Sequence, residues 1–165
     1  MQIIQAAAAF VAGIFITFSQ VHDANIGMYG LAIISVGWCI AAIVAITKRN
    51  AIIFNAFIAL ASAAMIWFAL SFDANNATSS AWILIQSWGL FGALAELYLA
   101  IRQGKGSAQR RDHFINAGLA AALVVALALV TDAGDSVSRV GFFGAYAVIL
   151  AVHLGIAAAS PKAKA

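Results

Sequence analysis

Six apolar stretches, separated by short polar breaks, constrain the fold of this chain more than any other feature. They span residues 3–20, 26–46, 51–72, 81–101, 114–130 and 139–159. Each holds about 17 to 22 residues, the length that crosses a hydrocarbon core of about 30 Å as an α-helix. Barrel strands are shorter and alternate every second residue, and no other backbone can pair its polar groups in lipid. The sequence therefore predicts an all-α polytopic membrane protein with six transmembrane helices in a single integral membrane domain, residues 1–165.

Composition excludes a water-soluble domain. Hydrophobic residues make up 64% of the chain and charged residues only 9%, where a soluble domain carries about a quarter. The first stretch has no basic residue before it and no clear small-residue cleavage site, so we expect a retained helix rather than a signal peptide. Cys39 is the single cysteine, which leaves no intrachain disulfide.

The basic residues predict the orientation of the helices. Eight of the nine fall in alternate gaps or in the carboxyl tail: Lys48, Arg49, Arg102, Lys105, Arg110, Arg111, Lys162 and Lys164. The other gaps hold only Arg139, together with four aspartates. Loops rich in Lys and Arg stay in the cytoplasm, so both termini are expected there. This distribution also explains the pI near 9.4 without any binding of nucleic acid.

Connectivity groups the six spans as three helical hairpins. Small residues recur at four-residue spacing in several spans: Gly37 and Ala41, Gly92 and Glu96 with Ala100, Gly118 and Ala122. Such spacing allows close helix approach in lipid. Four aromatic residues fall near the predicted outer ends of spans, where rings suit the headgroup region: Tyr29, Trp67, Phe72 and Trp82.

The candidate site is a polar cluster of Glu96, His153, Asn55 and Asn116. Glu96 and His153 are the ionisable residues clearly within spans, and both are expected about 9 Å from the cytoplasmic ends of their helices. A contact between them would make a proton- or solute-responsive site, and the two asparagines could join it. The alternative is a buried polar pair that fixes helix register, or groups that reach the nearby interface.

Other site chemistries find little support in the sequence. It contains no Gly-rich phosphate loop, nucleophile elbow or HExxH motif. His22 and Asp23 are too few for a metal site, and His113 is expected at the interface, capping the fifth helix together with Asp112. We therefore expect a non-enzymatic protein without a catalytic residue, metal or cofactor.

The fourth span carries a resemblance to a known family. It reads Ser87-Trp88-Gly89-Leu90-Phe91-Gly92, followed by Glu96 and Ala100-Ile101-Arg102. This pattern resembles the central repeat of the HdeD family of small bacterial membrane proteins. The resemblance implies a six-helix inner-membrane protein associated with acid or general stress resistance.

Three functions follow as expectations. The first is an HdeD-like protein of the bacterial cytoplasmic membrane that stabilises the membrane or a partner under stress. The second is an accessory subunit of a larger membrane complex, and the third is a channel or transporter for protons or a small neutral solute. The expected partners are the lipid bilayer and either other membrane subunits or further copies of the chain.

Overall fold

The computed structural model describes residues 1–71, 73, 77–132 and 135–160, which form α-helices and no strand. Six helices are present in this part of the chain, as the sequence predicts. They are α1 (Gln2–Phe18), α2 (Ala24–Thr47), α3 (Ile52–Ser71), α4 (Thr78–Arg102), α5 (Ala108–Leu129) and α6 (Ser136–Ala159).

Helices α2 to α6 are long and apolar enough to cross a membrane. Helix α1 is shorter, with 17 residues, or about 25 Å at 1.5 Å per residue. The prediction of an all-α polytopic membrane protein is confirmed.

Side-chain caps from Asp23, Ser107 and Asp135 place the starts of α2, α5 and α6. Asp23 accepts a hydrogen bond from the backbone N–H of Ile26 (3.0 Å), which starts α2. Ser107 accepts one from the N–H of Arg110 (3.2 Å) and starts α5 six residues before the predicted span. The sequence from Arg110 to His113 is therefore helical, and the prediction that Asp112 and His113 cap α5 is wrong.

Helix packing differs from the grouping that connectivity suggests. The closest pairs are α1 with α6, α2 with α3, and α4 with α5, followed by α1 with α2. The backbones of α3 and α4, which are consecutive in the chain, scarcely approach each other. Helix α2 lies at the centre, with contacts to α1, α3, α4 and α6, and it is the most buried of the five long helices.

The bundle has two different ends. The basic end carries Met1, the α2–α3 turn, the α4–α5 turn and Ser160. The far end carries the α1–α2 turn and the start of α6. The main hydrophobic core lies toward the far end and includes Ile16, Met28, Leu31, Trp82, Leu127 and Phe143.

Trp82 does not lie at a lipid interface as predicted, because its side chain is only 1% exposed within this core. Arg139 lies above its ring, 5.8 Å from the centroid, and donates a hydrogen bond from Nη2 to the Val130 carbonyl (2.7 Å). Trp67 is 70% exposed and Tyr29 45%, as expected of rings that face lipid or headgroups. Phe72 lies outside the described residues.

Small residues serve two different purposes in this fold. At Gly37, an added Cβ would collide with the Cβ of Ala8, so glycine is needed where α2 crosses α1. At Gly92 and Gly118, no other group lies within 4 Å of the Cβ position. The spacing of small residues predicts close packing correctly at Gly37 and wrongly at these two positions.

Candidate ligand cavity

A cavity of about 1330 Å³ opens at the basic end. All six helices contribute to its lining, α1 only through Gln2 and Gln5 near its start. Its floor is formed by Ile34, Ile85, Leu123 and Phe143, which all belong to the far-end core. The cavity is therefore open at one end of the bundle and closed by packed side chains at the other.

Small residues line part of this space: Ala41 and Ala42 of α2, Gly89 and Gly92 of α4, and Ala120 of α5. At Gly92 no other group lies within 4 Å of the Cβ position, so the short residue leaves open volume there. At Gly89 an added Cβ would lie 3.0 Å from the Val124 side chain, so that glycine instead permits close contact between α4 and α5. Apolar and aromatic side chains form much of the remaining wall: Trp38, Phe54, Phe57, Ile58, Trp88, Phe91, Leu99 and Tyr146.

Aromatic rings close the wall between α3 and α4. Phe54 stacks on Tyr98 with ring centroids 5.5 Å apart, and Phe57 meets Phe91 edge to face at 5.7 Å. These two ring pairs join helices whose backbones hardly approach each other. Side chains alone therefore separate the cavity from the lipid on this side.

A carboxylate and an imidazole pair on the cavity wall. Glu96 Oε2 lies 2.6 Å from Nδ1 of His113, with side chains 15% and 22% exposed, respectively. The amide nitrogen of Asn116 donates to the same oxygen at 3.4 Å. His113 and Asn116 are three residues apart on α5, so they share one helix face, and that face meets Glu96 of α4.

At this distance Nδ1–H of His113 donates a hydrogen bond to the Glu96 side chain. The other ring nitrogen is then left to contact a ligand. Asn116 is 6% exposed, and its amide oxygen Oδ1 has no hydrogen-bond partner among the described residues. The pair thus adds a polar patch to a wall that is mostly apolar.

The depth of each residue along its helix explains why this pair forms. Glu96 lies six residues before the end of α4, and His113 lies five residues after the start of α5. Both are therefore within about 9 Å of the basic end, where the short Gln103–Ser107 turn joins the two helices. Closely packed antiparallel helices with this turn bring side chains of equal depth together.

Two residues of the predicted cluster meet, and two lie elsewhere. Glu96 and Asn116 are hydrogen-bonded as described above. Asn55 lines the same cavity, but its amide donates to the carbonyls of Asn50 (2.8 Å) and Ala51 (3.2 Å). His153 has a buried Nε2 without a hydrogen-bond partner in the described chain.

Glu96 pairs with His113 and not with His153, the partner that the sequence predicts. The predicted depths match Glu96 with His153 and place His113 at the interface, but α4 packs closely against α5, whereas α6 packs closely against α1. The signal that could have found His113 is the Ser107 cap. A helix that begins there places His113 within the span and on the same face as Asn116.

The described residues contain no group of three or more His, Cys, Asp or Glu side chains arranged to hold a metal ion. Comparisons of the chain with known protein families, curated proteins and solved structures find no match.

Proposed function

We propose that this protein is a binding or carrier protein of a bacterial cytoplasmic membrane, and that its cavity binds a small molecule. The cavity itself carries the proposal. It exceeds the volume of about 300 to 1000 Å³ typical of ligand sites, and it combines an apolar wall with a few polar groups. A transport cycle would require a second state in which the far-end core opens.

The proposal includes an orientation with the basic end inside. Lys48, Arg49, Arg102, Lys105, Arg110 and Arg111 belong to the turns or the helix ends on this side. Short loops rich in Lys and Arg remain in the cytoplasm during insertion. The cavity mouth then faces the cytoplasm.

Membership in the HdeD family, and the acid-stress role that it implies, form part of the same proposal. The sequence around Gly92, Glu96 and Arg102 in α4, which is similar to the central repeat of that family, supports this part of the proposal.

Thiol labelling from each side of the membrane tests the cavity and the orientation. Gly92→Cys, in a background in which Cys39 is replaced by Ala, places a thiol in the cavity at a position with free space around it. We expect a membrane-impermeant maleimide to label this thiol in inverted vesicles and not in spheroplasts. The far-end core blocks access from the other side.

Gly118→Cys in the same background is the matched control. Gly118 also has free space, but it is an exposed residue of α5 outside the cavity, so its thiol should face lipid and stay unlabelled from both sides. If Gly92→Cys resists labelling from both sides, or labels equally from both, the cavity proposal is wrong. Labelling from the outside alone would keep the cavity and reverse the orientation.

A further inference from the structure

The charges around the cavity mouth point to a class of ligand, an inference that rests on the proposed function. We propose that the cavity binds an anionic amphiphile, a molecule with a carboxylate or phosphate head and an apolar body. The head would lie at the basic end, and the body would extend toward the far-end core.

Three guanidinium groups line the mouth: those of Arg49, Arg102 and Arg111. None of them is paired with a carboxylate among the residues that the structure describes. Arg102 is held in position, since its Nε donates to the Tyr98 hydroxyl (3.1 Å) and its guanidinium lies 5.3 Å from the centre of that ring. Guanidinium groups suit carboxylates and phosphates because they donate two parallel hydrogen bonds to them.

The carboxylates near this mouth do not cancel its positive charge. Asp112 and Glu96 are the acidic residues that line the cavity, so three guanidiniums face two carboxylates. Glu96 is already bonded to His113 and Asn116. The mouth therefore keeps an excess of cationic donors for an incoming anion.

The deeper wall suits an apolar body. Trp38, Trp88 and Phe91 provide flat aromatic surfaces, and the floor is the hydrophobic core. A purely polar anion would leave this apolar surface without a partner, and a purely apolar molecule would leave the three guanidiniums without one. An amphiphile matches both regions at once.

The α3–α4 wall offers such a molecule a route from the bilayer. Because the ring pairs Phe54–Tyr98 and Phe57–Phe91 close this wall, rotation of side chains opens it without separating packed helices. A free fatty acid and an anionic phospholipid share the required chemistry.

General attraction to anionic lipid is the competing explanation for the basic end. Three other cations at the same end, Lys48, Lys105 and Arg110, do not line the cavity. Replacing these three with glutamine removes the same charge as replacing Arg49, Arg102 and Arg111. The two triple variants therefore separate a cavity site from surface attraction.

Quenching of tryptophan fluorescence measures the binding. The full chain, with Trp67→Phe to remove the tryptophan most exposed to lipid, is placed in zwitterionic nanodiscs and titrated with a brominated long-chain fatty acid. Trp38 and Trp88 line the cavity and report on the bromine atoms. The uncharged fatty alcohol of equal length, also brominated, is the control for the head group. A second set of nanodiscs contains brominated phosphatidylglycerol in place of the fatty acid.

We expect saturable quenching by an anionic probe and at least about tenfold weaker binding in the R49Q/R102Q/R111Q variant, since this variant removes the charge-assisted hydrogen bonds to the head group. The K48Q/K105Q/R110Q variant should bind the probe nearly as tightly as the parent does. If the R49Q/R102Q/R111Q variant unfolds, the R49K/R102K/R111K variant replaces it and should keep most of the affinity. Whichever probe shows this dependence on the three arginines, the fatty acid or the phosphatidylglycerol, identifies the source of the anion.

The proposal would be overturned if the two glutamine variants lost equal affinity for the anionic probe, or if neither lost any. It would also be overturned if the fatty alcohol bound as tightly as the fatty acid. In those cases the proposed function still stands if Gly92→Cys is labelled from the cytoplasmic side, and only the ligand class is wrong. If Gly92→Cys is not labelled, both the proposed function and this ligand class fail.

Discussion

The two ends of the bundle are built from the same helices and differ in the size of the side chains that face inward. Five residues of α4 follow one another at three- and four-residue steps and therefore share one helix face: Trp82, Ile85, Gly89, Gly92 and Glu96. The first two are buried in the far-end core, and the last three line the cavity. One helix face therefore forms a packed core at one end and the wall of a cavity at the other.

This difference shows that small residues in a membrane helix have no fixed meaning. Where two backbones cross closely, as at Gly37 and Ala8, glycine permits contact between helices. Where the facing helix stands further away, as at Gly92, it leaves an open volume. The arrangement of neighbouring helices decides between these outcomes.

The largest effect is expected when a large side chain is removed from the packed end. Trp82→Ala should lower the free energy of unfolding by about 3–5 kcal/mol, because it leaves a cavity in the core and removes the ring beneath Arg139. Denaturation of the purified protein by SDS measures the loss. Trp67→Ala, at an exposed ring, is the matched control, and a similar loss there would contradict the account.

A methyl group added to glycine should have opposite consequences in the two regions. Gly37→Ala collides with Ala8 and should cost about 1–3 kcal/mol, whereas Gly92→Ala meets nothing and should be neutral or slightly stabilising. Thermal unfolding of the two variants under the same conditions tests this difference. Equal melting temperatures would mean that α1 and α2 do not cross as closely as described.

The polar pair should contribute less than the core does. His113→Leu removes the hydrogen-bond donor from Glu96 and should cost about 1–2 kcal/mol, a loss limited by the partial access of the carboxylate to the cavity. Adding Glu96→Gln to that variant should recover part of the loss, since a neutral amide is cheaper to leave without a partner. A double variant that is less stable than His113→Leu alone would show that the two residues do not act as a pair.

The smallest effect is expected outside the membrane, at the start of α6. Hydrogen bonds from the side chain and backbone of Ser138 hold the pKa of Asp135 below its usual value of 3.8. A carboxyl with a lowered pKa in the folded state stabilises the fold above that value, and the contribution is lost as the pH falls through the folded pKa. Asp135→Asn should therefore flatten the dependence of stability on pH below about 4. If the stability of Asp135→Asn fell with decreasing pH as steeply as that of the wild type, this role for the Asp135 cap would be wrong.

Sequence reasoning predicts the parts of this molecule that depend on local composition. The apolar lengths and the polar breaks give six helices, and Glu96 and Asn116 stand out as polar residues within spans. His113 was missed because the predicted fifth span began after it, whereas the Ser107 cap starts α5 earlier. Trp82 was placed at the lipid interface because a ring near a helix end has the same sequence signal whether it faces lipid or the core.

The cavity could not be predicted, because it depends on which helices are neighbours. Connectivity suggested close packing of α3 with α4, but rings rather than backbones join them. In the sequence, the small residues that line the cavity do not differ from small residues at any other helix contact. Only the distance between the helices distinguishes the two.

Native mass spectrometry of protein extracted gently from the host membrane shows whether the cavity holds a ligand. The wild-type chain should retain the mass of a bound small molecule. Gly92→Trp, which fills the cavity from a position with free space, should lose that mass, while Gly118→Trp, outside the cavity, should keep it. Identical spectra for the wild type and Gly92→Trp would contradict the claim that this space holds a ligand.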